Sequence, residues 1–328
     1  MNILVVAEHH GGKWHKMSWE TLAAGQVVAA SLNAQLSVLV LGSEIEPLAT
    51  ELATHRVDRV FVAEHELLAE YSSDGYTVAI QQIVKRISPD LVLFPHSYFV
   101  RDYGPKLAAR LNRSFLNDVV DIDAEENHIR FTRQIFQGKI NADVTFSDAP
   151  PHFVSIQSGA YRGDALEPAD NFAPVEKINV TIGPADIRTR YGEWFRESKS
   201  KVDLSTAEII VSVGRGIKDP EHIPIAKELA EALGGELAAS RPVCDNGWLP
   251  LERQVGSSGQ TVSPKLYLAI GISGAIQHVV GMKGAEIIAA INQDPGAPIF
   301  EIADYGVVGD LFEVVPALTE AILAIKED

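Results

Sequence analysis

Residues 266–292, LYLAIGISGAIQHVVGMKGAEIIAAIN, constrain the fold more than any other stretch of this chain. They read as a buried strand, a glycine turn, a short helix and a second buried strand. The apolar run 266–270 ends at Gly271, and the run 286–291 ends in the turn Asn292, Gln293, Asp294, Pro295. Such a unit is half of a nucleotide-binding sheet. Between the two runs, Ser273 and Gly274 stand where a helix begins, followed by Ala275, Ile276, Gln277 and His278. Backbone N–H groups at that point are free to face an anion such as a pyrophosphate.

The rest of the chain repeats the alternation. Strand-like runs fall at 3–6, 36–41, 59–62, 91–94 and 153–156, with helical stretches at 19–32 and 76–87. A parallel sheet with helices on its faces follows from that order. The segment 119–146 breaks the pattern with period-two runs such as Arg130, Phe131, Thr132, which suggest antiparallel hairpin strands appended to the sheet. From 188 to 202 the composition turns to Arg, Lys, Glu, Ser and aromatic residues without apolar periodicity, as expected of a linker. A second βα series then opens at 208–213, with a helix over 221–233 ended by Gly234 and Gly235. The expected architecture is α/β in two domains, 1–196 and 197–328. Each is a mostly parallel sheet flanked by helices, the second a Rossmann-like nucleotide-binding domain.

Charge and cysteine content narrow the function. A formal charge of −16, from 44 acidic against 28 basic side chains, leaves no basic footprint for nucleic acid or anionic lipid. No apolar stretch is long enough to span a bilayer, so no membrane insertion is expected. The chain opens directly on a strand without a signal-like or transit-like leader, and its one cysteine, Cys244, reads as a small buried apolar residue. A cytoplasmic setting is the expectation. His9, His10, His15 and His96 lack metal-ligand spacing, and no metal is expected.

Three segments upstream of 266 carry further chemistry. Gly214, Arg215, Gly216 follow a strand directly; an arginine there can make two parallel hydrogen bonds to a phosphate, or simply lie on the surface of a tight turn. The usual dinucleotide fingerprint fails, because Asp219 stands in the place of its third glycine. Ser240 and Arg241 follow the strand-like run 236–239, where open α/β sheets place ligands, and Arg241 supplies a permanent positive charge. The loop 254–259, QVGSSG, is otherwise simply a flexible Gly/Ser turn.

Taken in order, GRG, SRP, QVGSSG, GISGAIQH, GMK, INQDPGAPIF and ADYG resemble the alpha subunit of electron transfer flavoproteins, densely over 214–311 and more loosely through the amino-terminal half. The resemblance implies one FAD held by the second domain through Arg215, Ser240, Arg241, Val255, Gly256, Ser257, Ser258, Ser273, Gly274, Ala275, Ile276, Gln277, His278, Asn292, Asp310 and Leu311. It puts Arg215 on the dinucleotide and Arg241 beside the flavin N1 and O2 atoms, where a cation stabilises reduced over oxidised flavin. His278 falls on the pyrimidine edge, Gln277 on the ribityl chain, and Asn292, Asp310 and Leu311 at the adenosine end. Relatives carry Gln-Thr or Gln-Ser followed by Gly-Lys in the loop where this chain has Ser257, Ser258, Gly259, Gln260. A gapless alignment puts Ser258 against flavin N5, with Ser257 and Thr261 as rivals. The implied function is an electron carrier that breaks no substrate bond. It would work as a heterodimer with a beta subunit that binds AMP, taking electrons from flavin dehydrogenases, such as those acting on acyl-CoA esters, and passing them to a membrane-associated quinone oxidoreductase. Two other classes stay open. An oxidoreductase with its own substrate would need a general base beside the flavin, and a nucleotide-binding regulatory module would not need Arg241, Ser258 and His278 around one ring.

Overall fold

The computed structural model describes residues 1–125, 128–136, 138–189 and 204–327. The chain divides into two compact units, one built on a nine-stranded sheet and the other on a five-stranded sheet. The expected linker over 188–202 lies outside the described residues apart from Arg188 and Thr189, as does the expected boundary at 196.

The first unit runs β1 (Asn2–Ala7), the two-residue hairpin strands β2 (His9–His10) and β3 (Lys13–Trp14), α1 (Lys16–Leu32), β4 (Gln35–Gly42), α2 (Glu46–Leu52), β5 (Arg59–Glu64), α3 (Ser73–Ile87), β6 (Leu91–Pro95), α4 (Tyr98–Leu111), β7 (Phe115–Glu125), β8 (His128–Ile135), β9 (Ile140–Val144), β10 (His152–Ile156) and β11 (Val175–Lys177). The sheet order is β11-β5-β4-β1-β6-β10-β7-β8-β9, and every pairing from β11 to β7 is parallel. Its central strands are apolar on both sides because both faces are covered. Ile3 and Val5 of β1 join one core cluster with Leu22 and Val28 of α1, while Leu4 and Val6 join another with Ile80 of α3 and Leu107 of α4.

The 119–146 region is more than an appended hairpin. β7 and β8 form the expected antiparallel pair and β9 follows β8 at the sheet edge, while β7 itself is an interior strand, parallel to β10. The reason is burial. Leu116, Val119 and Ile122 of β7 enter the same core cluster as Val154 and Ile156 of β10, a cluster that Phe131 of β8 also joins.

At the start of α3, Asp74 is almost completely buried and holds the last described stretch before residue 190. It accepts from the backbone N of Arg188 at 3.0 Å and from Arg188 Nη2 at 2.9 Å, and is ion-paired with Lys106. Arg188, then Lys106, hold its carboxyl well below the usual carboxylate range against the opposing effect of burial. A carboxylate depressed in the folded state adds stability that is complete above the unfolded value of about 3.9 and is lost as pH falls below it toward the folded value. Asp74→Asn is therefore expected to cost about 1.5–3 kcal/mol near neutral pH, for charge-assisted hydrogen bonds lost. Denaturant unfolding at stepped pH should show that gap closing as the wild type is acidified; a gap constant down to pH 3 would mean the pairs contribute nothing.

The second unit runs β12 (Ile209–Val213), α5 (Ile223–Leu233), β13 (Glu236–Ala239), α6 (Arg241–Asp245), β14 (Leu266–Ile270), α7 (Ile276–Val279), β15 (Ile287–Asn292), β16 (Tyr305–Val308) and α8 (Leu311–Glu327). All four pairings are parallel in the order β13-β12-β14-β15-β16. Val211, Val213, Leu268 and Ile270 face α5 and α8. Ile210, Tyr267, Ala269, Ile288 and Ala290 face a layer of irregular chain that includes Val255, Val262, Met282 and Ile299. From β12 the chain moves first to β13 on one side and then to β14 on the other. The crevice where strand order reverses therefore opens at the carboxyl ends of β12 and β14. Cys244 is buried in the core of this unit, and burial pushes its thiol up to about 11. No helix among the described residues is long and apolar enough to cross a membrane.

Candidate flavin site at the carboxyl edge of the second sheet

The sixteen residues singled out in the sequence lie on loops and helix starts at this one edge, and backbone hydrogen bonds tie those loops together. Ser240 N donates to Val213 O at 2.9 Å, Gly214 N to Ile270 O at 2.8 Å, Gly271 N to Ile291 O at 2.9 Å and Gly309 N to Asn292 O at 3.1 Å. The loop over 255–258 joins the same edge through Val255 N to Ala239 O at 2.9 Å and Ser257 N to Gln277 O at 2.7 Å.

Gly214 and Gly216 let two loops touch: a Cβ on Gly214 would lie 2.2 Å from Gly271 O, and one on Gly216 would lie 2.7 Å from Gly271 Cα. Gly256, at φ +140°, is pressed against Gln277 O in the same way. This packing presents Arg215, which is exposed and whose guanidinium has no hydrogen-bond or ionic partner among the described residues. The expected helix after Ser273 and Gly274 is the four-residue α7, capped by Ala275. The amides of Gly274, Ala275, Ile276 and Gln277 donate to nothing among the described residues, so they remain open donors.

Arg241 opens α6 and makes an exposed ion pair with Asp245 at 3.1 Å, while the hydroxyl of the preceding Ser240 does not cap the helix. An exposed i,i+4 pair contributes little, so the guanidinium can exchange Asp245 for a ligand at small cost. In the 254–259 loop, the buried Gln254 donates from Nε2 to Ser258 Oγ at 2.9 Å. Ser258 Oγ thereby has its lone pair engaged and its proton free to donate elsewhere. Neither Ser257 nor Thr261 has a comparable side-chain bond among the described residues. Gln254 is a residue that sequence reasoning quoted but gave no role; only its burial reveals it.

His278 is buried, and burial pulls it down to about 4, so the ring is neutral at neutral pH. Its Nε2 is 2.9 Å from the Tyr267 hydroxyl, while Nδ1, also buried, has no hydrogen bond. Gln277 beside it is exposed. Asn292 is committed within the protein: Nδ2 donates to Ile272 O at 2.9 Å and Oδ1 accepts from Asp294 N at 3.0 Å. Asp310 accepts from Phe312 N at 2.9 Å as the cap of α8, and Leu311 is a core residue. For these three the resemblance implies adenosine contacts, while the structure shows loop, cap and core roles.

Open amides, an unpaired Arg215 guanidinium, a readily released Arg241 and an oriented Ser258 hydroxyl make a rim rich in donors. That chemistry fits FAD, which needs donors at its pyrophosphate and along one ring edge. Among the described residues no cluster could hold a metal ion; His15 caps α1 and His96 bonds Ser155.

Sequence comparison agrees with this picture. The electron transfer flavoprotein domain matches residues 3–182, and the electron transfer flavoprotein FAD-binding domain matches 203–283. The chain is 38% identical over 326 residues to the electron transfer flavoprotein subunit alpha of Thermoanaerobacterium thermosaccharolyticum, covering 99% of this chain and 98% of that one. It is 38% identical over 318 residues to the Bacillus subtilis protein of the same name, covering 97% and 96%. The acryloyl-CoA reductase electron transfer subunit beta of Anaerotignum propionicum is 35% identical over 349 residues, with 98% and 95% covered. By descent and by fold, the chain belongs to the electron transfer flavoprotein alpha subunit family.

Proposed function

We propose that the second unit binds one FAD and that the chain carries electrons as half of a heterodimer with a beta subunit, itself the holder of AMP. Electrons come from flavin dehydrogenases and leave to a membrane-associated quinone oxidoreductase. The observation that carries this reading is the gathering of Arg215, Arg241, Ser258, the 274–277 amides and His278 on one edge of one sheet. The name of the Anaerotignum propionicum relative supports an acyl-CoA oxidoreductase as the redox partner. Bound FAD supplies reversible two-electron chemistry. The protein's part is to hold the pyrophosphate on open amides and Arg215, to aim the Ser258 proton at one ring atom, and to place the Arg241 charge where reduction leaves negative charge.

The test is to purify the chain with its beta subunit and record its absorption spectrum. A flavin spectrum with one releasable FAD per alpha chain is expected; a folded, colourless complex that takes up no added FAD would overturn the reading. The fragment 197–328 should also bind FAD, more weakly than the heterodimer, because every assigned residue lies within it. A folded fragment with no detectable affinity would move part of the site elsewhere.

The loop assignment has its own test. Ser258→Ala should shift the flavin potential by roughly 0.5–1.5 kcal/mol, one neutral hydrogen bond, while FAD stays bound. Ser257→Ala and Thr261→Ala should do much less. A larger shift from Thr261→Ala in spectroelectrochemical titration would move the hydroxyl contact by three residues.

A further inference from the structure

The loop over 254–260 is closed on itself. Gly259 N donates to Gly256 O at 3.0 Å, which makes 256–259 a tight turn with Ser257 and Ser258 exposed at its tip. Gln260 N donates to Gln254 O at 2.8 Å and Gly256 N to Gln260 O at 3.1 Å, so the two arms of the loop run side by side. Only a glycine permits this at 259, where a Cβ would lie 2.4 Å from Gln254 O and 3.0 Å from Gln254 Cγ. The returning chain thus packs over Gln254, which is 4% exposed. Burying an amide is unfavourable unless it is hydrogen-bonded, and a methionine would fill the same space without that cost. The bond that the side chain makes runs from Nε2 to Ser258 Oγ, 2.9 Å away at the exposed tip. Ser257 is held by its backbone instead, its N donating to Gln277 O at 2.7 Å.

A serine hydroxyl has one proton and two lone pairs. Gln254 takes one lone pair from the buried side, so the proton cannot point that way without setting two donors face to face. It is left to the exposed side of the turn. The amide N–H also draws electron density from Oγ, which strengthens the O–H as a donor and leaves the oxygen a poorer acceptor.

We propose that Gln254 is a positioning residue that holds Ser258 as a proton donor toward the bound flavin, and so favours the oxidised ring over the reduced one. This rests on the rim being the flavin site and on Ser258 facing N5. That atom holds a lone pair in oxidised flavin and carries a hydrogen once reduced, so a hydroxyl fixed as a donor suits only the first state.

The experiment uses the full chain with its beta subunit, with glutamine labelled in the side-chain nitrogen and the Gln254 resonance assigned against Gln254→Met. In the wild type, with or without FAD, the Gln254 side-chain N–H should exchange slowly with solvent, and Ser258→Ala should shift its resonance and speed that exchange. Gln254→Met should raise the equilibrium constant for flavin reduction about two- to fivefold, the size of one weakened neutral hydrogen bond, at unchanged FAD stoichiometry. Added to Ser258→Ala, the same substitution should change nothing further, because its effect passes through the hydroxyl. A Gln254 amide indifferent to Ser258→Ala overturns the proposal by itself, even if Gln254→Met does not fold. A reduction constant unchanged or lowered in a folded, flavin-loaded Gln254→Met protein overturns it as well. So does an equal shift with and without the Ser258 hydroxyl, since Gln254 would then act only by shaping the loop. Absence of flavin from the wild-type complex would instead refute the flavin reading, which the amide measurement on the cofactor-free protein separates from this one.

Discussion

Gly274→Ala is expected to destabilise the second unit by about 2–4 kcal/mol and to abolish tight FAD binding. Two costs add. The residue sits at φ +87°, where an L side chain is strained by roughly 1–3 kcal/mol. Its Cβ would also stand 2.2 Å from Ile299 N and 2.6 Å from Ile299 Cα. Both are backbone atoms, which cannot swing aside as a side-chain tip can. Relief would require the 273–274 turn and the 298–299 segment to separate, breaking the Ile299 N to Ser273 O hydrogen bond of 3.1 Å. That displacement moves the open amides of 274–277 with it. Gly296→Ala is the matched control, because the nearest atom to its added Cβ is the Asp294 Oδ1 side-chain oxygen at 3.4 Å and no positive φ is required. Denaturant midpoints and FAD content of the two variants check the claim. Equal stability of Gly274→Ala and wild type would mean that the turn relaxes freely and the amides are not held in place.

The same glycine shows how far the sequence could be read. A glycine after an apolar run announces a turn, and the alternation of such runs with helical stretches made both parallel sheets legible. The strand at 266–270 and the helix ending at Gly234 appear with almost the expected limits. Which neighbour each glycine makes room for is a tertiary fact. Gly214 and Gly216 mark a tight turn in the sequence, and only the structure shows that they make room for Gly271. The placement of β7 was hidden for a related reason. Period-two alternation shows that a strand has two unlike faces, but not which strand lies alongside, and β10 joins β7 only across a long intervening excursion. At the site, residues that display charge or sit in glycine turns were visible, whereas those that act from beneath the rim were not. Gln254 looks like any polar residue of a loop. Its meaning appears only when its burial and its distance to Ser258 are known.

Arg241→Ala should lower the potential of the bound flavin by about 1–3 kcal/mol, the range for a lost charge-assisted contact, while much of the FAD remains bound. Arginine is protonated at any accessible pH, so its charge biases the oxidised–reduced equilibrium without titrating. The ion pair with Asp245 supplies a second arm with the opposite sign. Asp245 now offsets part of the guanidinium charge from 3.1 Å away, and both side chains are more than half exposed. Asp245→Asn should therefore raise the potential, by less than Arg241→Ala lowers it, since water and salt already screen an exposed carboxylate. Raising ionic strength should shrink both shifts together. This pattern separates two roles for Arg241. A cation acting on the flavin gives shifts of opposite sign in the two variants, both sensitive to salt. A helix-end ion pair gives small, equal losses of stability and leaves the potential where it was, and that outcome would remove Arg241 from the flavin site.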